Sequence, residues 1–380
     1  MSTSVLVLGA GFAGLELATS VTSVCGDAVD VTVIDKNDGF VFGFSKLDVM
    51  FGRTTADHVT HSYDGIVGKS FRFVQATIES IDPHARTVRT SAGVFAADVL
   101  VIALGATVHP EATPGLVECG YEFYSNAGAF ALKDVLQEFR GGRVVVGVTS
   151  TPFKCPPAPS ETALLMHSFL TERGLRDNST ISLVMPFGRP IPPSPEASQA
   201  LMDEFSAVGI TWVPDNLVTA LDCSSNDAVL SGGGRLGFDL FLGIPVHRAP
   251  KVVVDSGLTV DGWIPVDPHT LRTTWDGVYA LGDVTSVGTP KAGVFSEGQA
   301  RIAAEHIIGR VQGRQCDAAY DGAGRCYIEF GANRIAQVDI QFQAGKPPHG
   351  SISGPSAALL AEKHEFGHSR IQRWFGHAWE

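Results

Sequence analysis

The sequence has no CxxC pair and no Cys/His cluster with zinc spacing, so no metal centre is expected. Its six cysteines in 380 residues are too few for a disulfide scaffold. No stretch reaches the ~18 uncharged apolar residues of a membrane-crossing helix. There is no Lys/Arg run either: 28 Lys plus Arg stand against 40 Asp plus Glu, a formal charge of −12. A chain this acidic does not track phosphate backbones, which excludes nucleic acid as the main partner. No basic, cleavable leader precedes the first apolar strand, so the expectation is a cytoplasmic protein, with peripheral contact at the membrane face and a homodimer both left open. What remains is globular, 44% apolar and 18% charged. The length exceeds the ~250–300 residues of a single core, so two or three packed units are expected.

The first motif is Val5–Leu8, an apolar strand, then Gly9-Ala10-Gly11-Phe12-Ala13-Gly14 and a helix start. Gly9 suits the tight turn, Gly11 lets backbone approach a pyrophosphate, and Gly14 lets helix and strand pack closely. A second strand, Val29–Ile34, ends in Asp35, placed to accept the hydroxyls of an adenosine ribose. Strand, turn, helix, strand and carboxylate together specify a dinucleotide. Lys36 and Ala76 are grouped with them as cofactor contacts. Further on, Asp98–Ala106 is an apolar strand ending in Ala103 and Gly105, and Gly277–Val284 carries the pair Gly282-Asp283. A helix opens just after Lys291-Ala292. These segments resemble the three FAD fingerprints of the two-dinucleotide-binding-domain flavoproteins. The resemblance implies FAD, with Asp283 on its ribityl chain and the helix amino terminus and Lys291 facing the flavin.

The second half repeats the plan with strands Arg143–Val148 and Thr180–Met185 about a helix over 160–173. Its turn keeps only Gly147, and Pro152, Pro156, Pro157 and Pro159 crowd the loop that follows. Prolines lack the N–H that would wrap a pyrophosphate, and Met185-Pro186-Phe187 offers no ribose carboxylate. No nicotinamide site is expected there. Cys155 stands in that loop instead, beside Lys154 and ahead of a helix, where charge and dipole both favour a thiolate. Glu161, in the helix's first turn, is placed to relay protons.

The stretch Thr151–Glu161 resembles the redox-cysteine segment of the sulfide dehydrogenase group, which contains sulfide:quinone oxidoreductases and the flavoprotein subunit of flavocytochrome c sulfide dehydrogenase. The resemblance runs through Leu242–Pro250 and Gly282-Asp283 to the closing Lys363, Phe366 and Arg370–Gly376. It implies a second redox cysteine, Cys326, with Cys316 as fallback, joined to Cys155 as a disulfide. It also implies sulfide or a related sulfur nucleophile as donor and a quinone as acceptor. Residues 36–60 hold no cysteine, so the FAD is expected to be non-covalent. Cys119 is expected to have no redox role, and Cys25 and Cys223 to be small buried or loop thiols. A quinone pocket is expected near the tail and the Val246–Arg248 loop, and Trp374, Phe375 and Trp379 are candidate interfacial anchors.

The expected fold is α/β, with two Rossmann-like domains, the second degenerate, and a small mixed C-terminal unit. The FAD domain is expected over 1–111 and 237–312, the degenerate domain over 112–236, and the C-terminal unit over 313–380. A type II NADH:quinone-like dehydrogenase is the alternative enzyme, and a flavin-bound redox sensor or scaffold is the alternative outside catalysis.

Overall fold

The computed structural model describes residues 2–66 and 71–379. The elements that position the site are, in chain order, β1 (Thr3–Leu8), α1 (Phe12–Cys25), β2 (Val29–Asp35), β3 (Arg72–Gln75), β4 (Val99–Ile102), β5 (Arg143–Val148), α2 (Ala158–Glu172), β6 (Thr180–Val184), β7 (Ile210–Val213), β8 (Leu240–Ile244), β9 (Val278–Ala280), α3 (Gly293–Val311), β10 (Ala323–Glu329), β11 (Ile335–Gln341), β12 (His349–Ser356) and α4 (Leu359–Phe375). The first sheet runs β9-β4-β1-β2-β3, all parallel. Such a sheet is covered on both faces, which is why its strands read as unbroken apolar runs. Val5, Val7, Val99 and Val101 face α1 and α3, while Leu6, Leu8, Leu100 and Ile102 face Ile81, Val88 and Val253.

The second sheet repeats the order: the short strand Tyr121–Glu122, then β8, β5, β6 and β7, again all parallel. A three-stranded antiparallel meander precedes the returning strand in each unit, over residues 78–96 and 218–237. This corrects the expected boundary at 236. Leu240–Ile244 pairs with Val144–Val148, so β8 lies between Tyr121–Glu122 and β5 and the second sheet extends past that point.

β10, β11 and β12 form a three-stranded antiparallel sheet, and α4 follows, which makes the C-terminal unit mixed. Ile371, Trp374 and Phe375 of α4 are buried in the core of the first unit. The Trp374 indole donates to Glu16 at 2.8 Å, and the Trp379 ring stacks on Phe42. Trp374 and Phe375 are thus packing residues, as the i, i+3, i+4 spacing of Ile371, Trp374 and Phe375 fits a core-facing stripe, while Trp379 is half-buried against the same core. No helix among the described residues is long and apolar enough to cross a membrane.

Cys119 and Cys223 form a disulfide with Cα atoms 5.7 Å apart. It ties the short helix Leu116–Cys119 to the second meander, where Leu221 N–H also donates to Pro114 O at 2.8 Å. Cys223 is therefore not a free loop thiol. Local sequence holds no signal for this pairing, because the two residues meet only through the tertiary fold.

Candidate active site

The loop from β1 into α1 is built for close approach. Gly9 has φ +103°, and a Cβ there would sit 2.4 Å from Ala103 O; one on Gly14 would sit 1.8 Å from Gly9 O. A Cβ on Gly11 would meet nothing within 4 Å, and Gly11 is the N-cap of α1 with no side-chain cap. The first amides of α1 are thus left for an anion. Asp35, at the end of β2, accepts from Ala10 N at 2.8 Å and from Asn37 N at 2.9 Å, which fixes its carboxylate beside the turn. Ala76 is buried and donates its N–H to Asp35 O at 2.8 Å, while Lys36 is exposed.

From that turn a cavity of about 320 Å³ opens between the two sheets and the C-terminal unit. Gly11, Phe12, Ala13, Ala103, Gly105, Gly282, Asp283, Lys291 and Ala292 line it, as do Cys155, Glu161 and Cys326. Gly9, Gly14, Asp35, Lys36 and Ala76 stand outside its wall; the glycines shape the turn from behind. The cavity and the turn beside it carry the groups that the dinucleotide assigned by the sequence would need. One carboxylate oxygen of Asp283 is buried with no partner, and burial raises its pKa against the pull of Lys154 and Lys291. The amino terminus of α3 opens on the same space with no side-chain cap. An orphaned acceptor and two uncapped helix starts are what a ribityl hydroxyl, a pyrophosphate and a flavin would satisfy.

Lys291 is more engaged than the sequence suggests. Its ammonium donates to Asp283 O at 2.6 Å and Thr285 O at 3.1 Å, and lies 3.3 Å from the centroid of the Trp263 ring. Burial pulls it down to about 8, with Asp283 opposing. Its own carbonyl accepts the N–H of Cys155 at 2.7 Å, which binds the redox loop to the first unit.

Cys155 has φ +49°, a left-handed conformation that costs a side-chain-bearing residue about 1–3 kcal/mol and directs its sulfur into the cavity. Cys326 reaches the same cavity from β10. Both are free thiols in this structure. Cys316 is also free but lines a different cavity, with Arg272 and Arg310. The expected thiolate at Cys155 is corrected as well. Its sulfur is exposed to the cavity yet lies deep in the protein, and this desolvation, with Cys326 and Glu161 adding to it, pushes the thiol well above the ordinary cysteine range. Ala158 N–H and Lys46 pull the other way and lose. Burial, then Glu161, pushes Cys326 up to about 12.

Glu161 is buried, and its carboxyl accepts Glu329 N–H at 3.0 Å. Burial pushes it up to about 7, with Lys363 opposing and Glu329 adding to the rise. Lys363 bridges the two carboxylates, 3.8 Å from Glu161 and 3.1 Å from Glu329, and Arg53 meets Glu329 at 2.7 Å and Asp48 at 3.5 Å. This chain of charges runs from the cavity wall to the half-exposed Arg53 and Asp48. Glu329, Arg53 and Lys46 carry no local motif, and only the fold brings them to the site. Of the two regions expected to hold the acceptor, Phe366 lines the cavity. Val246–Arg248 is a strand paired with Thr107–His109, and its buried His247 packs edge-on against Tyr124.

Residues 3–306 match the family model described as pyridine nucleotide-disulphide oxidoreductase. The chain is 21% identical over 356 residues to a mitochondrial sulfide:quinone oxidoreductase of Dictyostelium discoideum, covering 90% of this chain and 78% of that protein. A type II NADH:quinone oxidoreductase of Staphylococcus saprophyticus is 36% identical, but over only 103 residues, 27% of this chain and 26% of that one. The crystal structure of the sulfide:quinone oxidoreductase from Aquifex aeolicus superposes with a TM-score of 0.87 at 20% identity, over 99% of this chain and 92% of that chain.

Proposed function

Because the chain belongs to the pyridine nucleotide-disulphide oxidoreductase family and is an FAD-dependent oxidoreductase, we propose that it oxidises sulfide, or a related sulfur nucleophile, through Cys155 and Cys326 and passes the electrons to a quinone. The observation that carries this reading is the meeting of Cys155 and Glu161 with Cys326, from a distant part of the chain, in the cavity assigned to the cofactor. In the oxidised pair, hydrosulfide attacks Cys155 Sγ: a new S–S bond forms, the Cys155–Cys326 bond breaks, and its electron pair leaves on Cys326. A thiol with a pKa of about 12 is a poor anionic leaving group. Glu161, neutral below about pH 7, supplies the proton that Cys326 Sγ takes up. Lys363 and Glu329 hold the Glu161 carboxyl in place, and Arg53 and Asp48 lead toward solvent for its reprotonation. FAD, once bound, supplies the two-electron store between sulfur and quinone.

The similarity to type II NADH:quinone oxidoreductases supports the alternative less well, since it covers about a quarter of the chain and the second turn keeps its four prolines. The test is steady-state reduction of a short-chain quinone by the holoprotein, with sulfide or NADH as donor. Turnover with sulfide and none with NADH supports the proposal; the reverse pattern overturns it.

A further inference from the structure

Three ammonium groups line one cavity: Lys46, Lys154 and Lys291. Each donates to backbone carbonyls, Lys46 to Tyr124 O, Lys154 to Ala106 O at 3.2 Å, and Lys291 to Asp283 O and Thr285 O. Among the described residues none of the three forms an ion pair with a carboxylate, whereas the buried Lys363 has two. Two of the cations are tied to Cys155: Lys154 precedes it in the chain, and Lys154 and Cys155 both act electrostatically on Lys46. Tyr124 lines the same cavity, its residue 6% exposed and its hydroxyl with no hydrogen-bond partner, and the Nε2 of the buried His247, whose ring packs edge-on against it, is also unpartnered. Unpaired ammonium groups and an orphaned hydroxyl on one wall are groups that a small bound anion would satisfy.

We propose that Lys46, Lys154 and the Tyr124 hydroxyl form a subsite for a small soft monoanion beside Cys155, the class that includes hydrosulfide and the terminal sulfur of a persulfide. The inference rests on the sulfur-oxidising reading and names the groups that hold its substrate. The charged groups facing Lys46 are Lys154, Glu122 and Cys155. Burial and then Lys154 pull the Lys46 ammonium down to about 7, so a bound anion would restore its charge. Glu122 does not compete for the place, because Tyr124 N–H, Ser125 N–H and the Ser125 hydroxyl already occupy its carboxylate. Of the other carboxyls lining the cavity, Asp283 interacts with Lys154 and Lys291, and Glu161 is held by Glu329 and Lys363.

The probe is thiocyanate, a soft monoanion that cannot be oxidised at this pair under mild anaerobic conditions. Reduced holoprotein is alkylated with iodoacetamide over a range of thiocyanate concentrations, and modification of the Cys155 peptide is followed by mass spectrometry. Thiocyanate is expected to protect Cys155 saturably. Loss of a charged hydrogen bond in Lys46→Met should weaken protection about tenfold or more, while Lys46→Arg retains it. Tyr124→Phe, which removes only the hydroxyl, should weaken it by a smaller factor and keeps the test open if Lys46→Met loses its cofactor. Equal protection in wild type, Lys46→Met and Tyr124→Phe, or none in wild type, overturns the subsite. Sulfide that fails to reduce a wild type still protected by thiocyanate removes the sulfur-oxidising reading and leaves the subsite standing.

Discussion

The backbone N–H of Glu329 donates to the carboxyl of Glu161 at 3.0 Å. Glu161 stands six positions after Cys155 and Glu329 three after Cys326, so this one bond stitches the helix behind the first thiol to the strand that carries the second. It is one of the ties between the elements that carry the two sulfurs, and a group with a pKa of about 7 makes it.

Glu161→Gln keeps the acceptor oxygen for Glu329 N–H but removes the titrating proton. In wild type the carboxyl is protonated and able to donate below about pH 7, and charged above it. Reduction of the flavin by sulfide should therefore fall as pH rises through 7, against Lys363, Glu329 and Asp48, which also bear on Glu161. In Glu161→Gln that limb should flatten and the plateau drop by about 10²-fold. A pH–rate profile by stopped-flow checks it; an unchanged limb would remove Glu161 as the donor.

The Cys119–Cys223 bridge lies away from the cavity and should matter for stability alone. Its loss in Cys119→Ser should lower stability by ~2–5 kcal/mol, because the bridge restricts the unfolded chain. Thermal unfolding should show the drop while sulfide-driven flavin reduction stays at the wild-type rate.

Trp374 is fully buried, and Glu16, which its indole reaches, also receives Arg373 at 2.9 Å. Trp374→Ala should destabilise the first unit by ~3–5 kcal/mol through the void it leaves. Vesicle flotation of the folded protein should be the same for wild type and variant. A selective loss of flotation in a fully folded variant would return the tail to the membrane.

Asp283 carries the buried, unpartnered oxygen that the cofactor is expected to satisfy. Asp283→Ala should weaken FAD binding by about tenfold or more, read by fluorescence titration of stripped protein. Unchanged affinity would place the ribityl chain elsewhere.

Much of this was legible in the sequence, for physical reasons that differ by element. The Gly9–Gly14 turn reads directly because its demands are local: a positive φ at Gly9 and no room for a Cβ at Gly14. Cys155 and Glu161 share a helix start, so their spacing alone places them together. Lys46, Glu329 and Arg53 were not legible, because each reaches the site across the tertiary fold. The pKa of Cys155 was misjudged because Lys154 and the helix start are visible in sequence, whereas the desolvation that outweighs them belongs to the assembled cavity. The tail aromatics and Cys223 went astray similarly: an aromatic stripe and an isolated cysteine do not announce their partners.

The central claim is that electrons enter from sulfur through Cys155 and Cys326. The most direct measurement is anaerobic stopped-flow mixing of oxidised holoprotein with sulfide, following the flavin band in wild type, Cys155→Ser and Cys326→Ser. The account predicts rapid bleaching in wild type and a loss of at least about 10³-fold in each variant with FAD still bound. Bleaching at the wild-type rate in either serine variant would contradict it.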